Sequence, residues 1–382
     1  MKKITLHGSI LIGLAATTIG VSIGRSEQPN PGYTGASRAM LWSVSPIPYT
    51  DTTKYKKAPP YVIGFSNAGL GDSWRIVMLH SMENAVSKHL NVIKKFYVTD
   101  ANHNDSKQVS DIEDLVSRGV DLLIVSANTE QALDPAITRV MKRGVPVIMV
   151  DRRITSDNFV SFATAADAPM GRMMAQWLVE KLGGKGNIII LGGQAGSSPN
   201  EIRVRSAMEI FKQYPDIKIL DTVYSDWSPA KAKSVMATVI QKYGKQINGV
   251  YSTHGLQDPG SIEAFVEAGY KSGEIPPHTA ADINGALKLA IQYKVPMINF
   301  DYPPAMGGEA VEVALKTLAG LPVPKIDTIN AQIAITKGDE TASAKADLYI
   351  EDYVMPDKPN EYLLSSGLGR DYDPKTFKVK LP

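Results

Sequence analysis

Residues 61–75 read YVIGFSNAGLGDSWR, an apolar run, a glycine-rich turn and the start of a helical pattern. A strand fed through a tight turn into a helix is the building unit of a doubly wound α/β sheet. With the pattern G-x-G-x-x-G the unit cradles a pyrophosphate on the helix N-terminus. Here Gly69 and Gly71 supply the first two glycines and Asp100 closes the second strand run. Trp74, however, stands where the third glycine must be small, and Asp72 would repel the phosphates. The turn suits a different ligand. Asp72 and Arg75 can bond hydroxyls while Trp74 offers a flat apolar face, the complement of a sugar ring with polar edges and a C–H face.

From residue 61 onward short β-branched runs alternate with longer amphipathic stretches. Strands are expected at 61–66, 92–99, 121–126, 145–150 and 159–163, then in a second series at 187–191, 217–223, 249–252, 279–282 and 296–300. Apolar strands each followed by a helix predict parallel sheets covered on both faces. Two series predict two doubly wound, Rossmann-like lobes. Ligands of such sheets bind beyond the carboxyl ends of the strands, so two facing lobes would enclose a cleft. Ser126, Asp151, Arg152, Trp227, His254, Asp282 and Asp301 all follow apolar runs and are candidates to line it, with Gln194 and Asp226 in similar positions. Trp227, preceded by Asp226, mirrors in the second lobe the Asp72 and Trp74 pair of the first.

Composition narrows the compartment and the chemistry. The 382 residues include no cysteine, which excludes disulfides, thiolate metal sites, a cysteine nucleophile and a cysteine-linked lipid anchor. Net charge is +2 and no Lys/Arg block stands out, so nothing points to nucleic acid. Residues 1–25 begin with Lys2 and Lys3, continue through an apolar stretch and reach small residues by Gly24, the pattern of a secretory signal peptide, with an uncleaved anchor as the alternative. Export by a bacterium would place the mature chain in the periplasm. Segments 26–60 and 336–382, rich in Pro or charge, read as extensions packed along the lobes.

Several motifs now act together. Val145-Pro146-Val147-Ile148 followed by Asp151-Arg152, Ala195-Gly196-Ser197-Ser198 followed by Arg203, Asp226-Trp227, and Asp301-Tyr302-Pro303 with Gly307 occur in one order and spacing. Over 61–335 the chain resembles the type I periplasmic sugar-binding proteins of ABC importers, the group that binds ribose, galactose and galactofuranose. The resemblance implies two lobes, 61–166 plus 302–330 and 167–301 plus 331–335, joined by a three-strand hinge near 163–167, 301–303 and 330–335. It implies that Trp74 and Trp227 stack on a sugar and that Asp151, Arg152, Arg203, Asp282 and Asp301 bind its hydroxyls. Arg75 is similar to the galactofuranose-binding branch. His254-Gly255 replaces the common Asn-Asp, and Ser126 stands where Asn is frequent, which alters the hydrogen-bond pattern offered to the ligand.

The expected protein is a monomer that captures a monosaccharide or polyol and hands it to an inner-membrane ABC permease, with no catalytic residue, cofactor or metal. A receptor component presenting a sugar-like signal is the alternative within binding proteins. Paired carboxylates at 151, 282 and 301 also leave a glycosidase open, although the interleaved arginines favour hydroxyl recognition. Because Asp outnumbers Arg among the candidates, a neutral ligand is expected. Arg153 and Arg205 are read as structural or solvated, and His80, His89, His103 and His278 as lying on helices or loops without a ligand.

Overall fold

The computed structural model describes residues 48–382; the leader read at 1–25 and most of the 26–60 segment lie outside the described residues. In the first lobe six parallel strands lie in the order β13-β6-β5-β4-β2-β3. They are β2 (Tyr61–Asn67), β3 (Ile93–Asp100), β4 (Leu122–Ser126), β5 (Val147–Val150), β6 (Ser161–Thr164) and β13 (Ile326–Thr328). Successive strand residues point to opposite faces, and both faces are apolar. Leu122, Ile124, Ile148 and Val150 share one core with Val77 and Met78 of helix α1 (Ser73–Ser87) and with Val311 and Ala314 of α9 (Met306–Leu318). Leu123, Val125, Val147 and Met149 share another with Ile112 and Leu115 of α2 (Asp105–Ser117) and Leu133 and Ile137 of α3 (Glu130–Lys142). This two-sided burial is why the runs read as continuous hydrophobics rather than alternating ones.

The second lobe holds seven strands in the order β15-β14-β11-β10-β9-β7-β8. They are β7 (Gly186–Gly192), β8 (Ile217–Tyr224), β9 (Gly249–Ser252), β10 (His278–Ala280), β11 (Met297–Phe300), β14 (Ile333–Ile335) and β15 (Leu348–Tyr349). Within it β14 runs antiparallel to β11, and β15 extends the edge parallel to β14. Helices α4 (Asp167–Lys181), α5 (Ser198–Phe211), α6 (Pro229–Tyr243), α7 (Asp258–Glu267) and α8 (Asn284–Tyr293) connect the strands. The chain changes sheets after β6, after β11 and between β13 and β14, which gives three crossovers. Ahead of the first lobe, β1 (Tyr49–Thr50) pairs with β12 (Val323–Pro324).

Residues 336–382 pack along both lobes. After β15 a short helix, α10 (Ile350–Tyr353), leads into a segment that wraps the start of α8. There the Asn284 side chain donates to the carbonyls of Met355, Lys358 and Pro359. The segment then crosses to the first lobe, where the Tyr372 hydroxyl lies 2.8 Å from His80 Nδ1 on α1 and Phe377 stacks on the same imidazole at 4.6 Å.

On its way this tail takes up two residues expected to meet a ligand. Ser365 donates from its amide to Asp282 Oδ1 at 2.9 Å and from its hydroxyl to Asp282 Oδ2, while the Tyr353 hydroxyl donates to Asp301 Oδ2 at 2.9 Å. A buried carboxylate needs donors, and the tail provides them from within the chain. The expectation for Asp282 is further altered because β10 ends at Ala280, so Asp282 lies past the strand in a left-handed turn with φ of 57°. His278, expected on a loop, is a buried member of β10 that bonds Ser261 and the Pro276 carbonyl.

A Cβ on Gly171 of α4 would lie 2.6 Å from the Arg203 carbonyl of α5, so this helix pair approaches through a glycine. Gly171→Val should lower unfolding free energy by about 1–3 kcal/mol through overpacking, read as an earlier urea midpoint; an unchanged midpoint would mean that the helices move apart freely. Burial raises Asp301 to about 7, and burial followed by the Asp301 charge raises Asp282 well above the carboxylate range. A raised carboxyl favours the folded state most at pH values below its unfolded pKa of about 4, and that contribution is lost as pH rises towards 7. The melting temperature should therefore carry a downward component between about pH 4 and 7, and Asp301→Asn should flatten it; an identical slope in the variant would refute the assignment.

Candidate functional site

Between the two lobes lies a narrow cavity with about 30 Å³ of free volume, well below the roughly 300–1,000 Å³ usual for small-molecule sites. The first lobe contributes Asp72, Trp74, Arg75, Asp151 and Arg152 to its wall, all predicted from the sequence. The second contributes Arg203, Trp227 and His254, also predicted, with Pro199 and Leu256. Tyr302, from the crossover after β11, completes the lining. Ser126, Asp282 and Asp301 do not line it. Ser126 stands behind the wall, bonded to Arg75 and Asp151, while the other two carry the tail.

Strand-end geometry aims these groups. Asp72 caps α1 by accepting the Arg75 amide at 2.9 Å, which fixes the start of the helix that carries Trp74 and Arg75. Asp151 follows β5 with φ of 59°, while Asp226 and Trp227 take φ of 52° and 62° beyond β8. For a residue as large as tryptophan the left-handed region is unfavourable, and such strain persists only where the surroundings impose it. Gly193 makes room, since a Cβ there would lie 2.1 Å from the Trp227 ring.

The floor of the cavity is a network of buried charge. Arg75 reaches Asn67 and Ser126 with Nη1 at 3.2 and 2.7 Å and pairs with Asp151 through Nη2 at 2.8 Å. Arg203 donates from Nε to Asp167 at 2.8 Å and from Nη1 to the Thr253 carbonyl at 2.8 Å. Between these pairs sits Tyr302. Its hydroxyl bonds Asp151 Oδ1 at 3.2 Å and Asp167 Oδ2 at 3.4 Å, the Arg203 guanidinium lies 4.1 Å above its ring, and Trp74 stacks against it at 5.5 Å. Burial, then the charges of Asp167 and Asp151, hold the Tyr302 hydroxyl well above its ordinary range, so it remains a donor. Burial also raises Asp167, against the opposing pull of Arg203.

The lobes touch at the rim. Arg152 donates to Gln194 Oε1 at 2.9 Å and to the Asn128 carbonyl at 3.3 Å, and Gln194 Nε2 donates to Asn128 Oδ1 at 2.9 Å. Nearby, the Arg153 amide donates to Ser198 Oγ and the Glu130 amide to the Gly196 carbonyl. The Arg153 guanidinium turns away to Asp157, and Arg205 is exposed, as their readings required. His254 accepts the Leu256 amide on Nδ1, and burial, then the Arg203 charge, keeps the ring neutral. Its proton is therefore on Nε2.

Tyr302 and Asp167 escaped the sequence reading. Tyr302 occupies the middle of the Asp-Tyr-Pro motif, whose flanks carry the sequence signal, and Asp167 stands in the sequence only at a hinge boundary. Both have the signal of a polar side chain at a lobe crossover, where a residue can face either sheet. Among the described residues no group of three or more His, Cys, Asp or Glu side chains could hold a metal ion.

Residues 63–322 match the family described as periplasmic binding protein domain. A xylitol-binding protein of Mycolicibacterium smegmatis (strain ATCC 700084 / mc(2)155) is 31% identical over 169 residues, 44% of this chain and 48% of that protein, so the chain spans about half of this relative. A galactofuranose-binding protein of Escherichia coli (strain K12) is 27% identical over 223 residues, 57% of this chain and 69% of the relative. The fructose-binding periplasmic domain of a hybrid two-component system superposes with a TM-score of 0.66 at 28% identity, covering 73% of this chain and 92% of that one. The matched span, the two-lobed topology and the cleft at the strand ends agree, and the chain belongs to the periplasmic binding protein family.

Proposed function

We infer that this protein captures a monosaccharide or polyol between its lobes in the periplasm and delivers it to the permease of an ABC importer. One observation carries the reading: a small cavity at the lobe interface has Trp74 from one lobe and Trp227 from the other in its wall, with guanidiniums and carboxylates beside them. Aromatic faces suit the C–H surface of a sugar or polyol, and charged donors and acceptors suit its hydroxyls. The names of similar proteins, which cite xylitol, galactofuranose and fructose, support this chemical class.

Capture proceeds by population shift. A ligand that touches both lobes stabilises the closed arrangement over the open one by its differential contacts. Closure removes water, so each hydroxyl must find a partner or cost about 1–3 kcal/mol as an unpaired buried group. The permease then reads the closed form. Binding rather than turnover is favoured because Asp282 and Asp301, which with Asp151 formed the glycosidase alternative, are bonded to the tail and do not line the cavity. A sensory role keeps one supporting observation, the two-component system that contains the fructose-binding relative.

A thermal-shift screen of the mature chain against pentoses, hexoses, furanose-rich sugars, polyols and sugar acids tests the reading. A cognate ligand at a hundred times its Kd should stabilise the fold by about 2.7 kcal/mol, and Trp227→Ala should abolish that shift; a complete absence of shifts would refute sugar capture. Gln194→Ala removes the side-chain bonds that Gln194 makes to Arg152 and Asn128 across the rim, so affinity should weaken by about tenfold, read by calorimetric titration. Unchanged affinity would mean that these bonds take no part in closure.

A further inference from the structure

The hydrogen-bond inventory of the cavity is unbalanced. Its interior carboxylates already carry protein donors. Asp151 carries Ser126 and Arg75 on Oδ2, Asp167 accepts Arg203 on Oδ1, and the single Tyr302 proton lies between Asp151 Oδ1 and Asp167 Oδ2. The remaining strand-end carboxylates of the second lobe, Asp282 and Asp301, hold Ser365 and Tyr353 of the tail. Only Asp72 keeps a free carboxylate oxygen, and this half-buried residue already caps α1 with the other.

Donors, by contrast, remain without partners. The Trp227 indole N–H is buried and unpaired. His254 places its proton on Nε2, away from the Leu256 amide that Nδ1 accepts. Arg152 engages only Nη1 in hydrogen bonds, its Nε lies 3.6 Å from Asp151, and Asp151 is already paired more closely with Arg75. Arg75 and Arg203 thus each have a carboxylate of their own, whereas Arg152 shares one. Consistent with this, burial and then the neighbouring Arg75 push Arg152 down to about 9.

A neutral hydroxyl can accept from these N–H groups but brings no charge to set against a guanidinium. A carboxylate brings lone pairs only and adds to the counter-charge that Arg152 otherwise shares with Arg75. We propose that the ligand is a sugar acid, a polyhydroxylated monosaccharide derivative whose carboxylate is held by Arg152 with the Trp227 and His254 N–H groups. The proposal rests on the sugar-capture reading above and replaces the expectation of a neutral ligand, because the tail withdraws two of the carboxylates on which that expectation depended.

Calorimetric titration of the full-length chain with matched pairs tests it: galacturonate against galactose, gluconate against glucose, and xylonate against xylose. One acid should bind, with its neutral parent weaker by roughly ten- to hundredfold, the range of a charge-assisted hydrogen bond. Arg152→Gln should narrow that gap by a similar factor. Trp227→Phe keeps an aromatic face, removes the indole donor and should lower acid affinity several-fold, which preserves the test if the arginine variant does not fold. A neutral parent bound as tightly as its acid would overturn the proposal while leaving sugar capture intact. Preference for a sugar phosphate over both would overturn it as well, and failure of every acid and every neutral sugar to bind would overturn both readings.

Discussion

Three guanidinium groups buried between two lobes set the conditions for the rest of this site. A charge moved out of water is costly unless a counter-charge and hydrogen bonds replace its hydration. Arg75 meets that requirement with Asp151, Asn67 and Ser126, and Arg203 meets it with Asp167 and the Thr253 carbonyl. The positions of the remaining polar residues follow from these needs. Ser126 supports two members of one pair from the end of β4, and Gln108 fixes that strand end by bonding the Ser126 carbonyl and the Asn128 amide. Arg152 is the exception, with half of its guanidinium bonded across the rim to Gln194 and no carboxylate of its own.

Tyr302 joins the two solved pairs into one system. It leaves the second sheet at the end of β11, bonds a carboxylate that follows β5 of the first lobe, and bonds another at the start of α4 in the second. Trp74 donates its indole N–H to the Tyr302 carbonyl at 2.8 Å, so the aromatic wall of the first lobe is also tied to this crossover. A hinge made of bare backbone would bend without reporting to the cavity. One that carries Tyr302 cannot, because separating the lobes changes the partners of both Asp151 and Asp167. Closure and ligand recognition therefore draw on the same hydrogen bonds.

The parts legible in the sequence share a physical reason. Two-sided burial of parallel strands imposes runs such as LLIVS at β4 and VIMV at β5, and the rule that ligands sit beyond strand ends picks out Asp151, Arg152, Trp227 and His254. What stayed hidden depends on contacts between residues far apart in the chain. Nothing local in Ser365 announces that it will bond Asp282, and nothing in Tyr353 announces Asp301, since each pairing arises only when the tail wraps α8. The short strands β12 to β15 leave no sequence signal for a related reason. Two or three residues carry no periodicity, and their pairing is set by the sheets they join.

The tail changes the energetics of the cleft as well as its composition. It is anchored on α8 of one lobe and on His80 of the other, so any motion that separates the lobes must stretch it or release an anchor. The His80 anchor is an imidazole between Tyr372 and Phe377, partly buried and held by burial below its ordinary pKa, and a neutral ring is the form that stacks on an apolar face at least desolvation cost. A closed arrangement with internal support has less to gain from its ligand, because part of the ordering is already in place before binding. The same wrapping that withdraws Asp282 and Asp301 from the cavity thus also lowers the differential affinity that a ligand must supply to hold the lobes together.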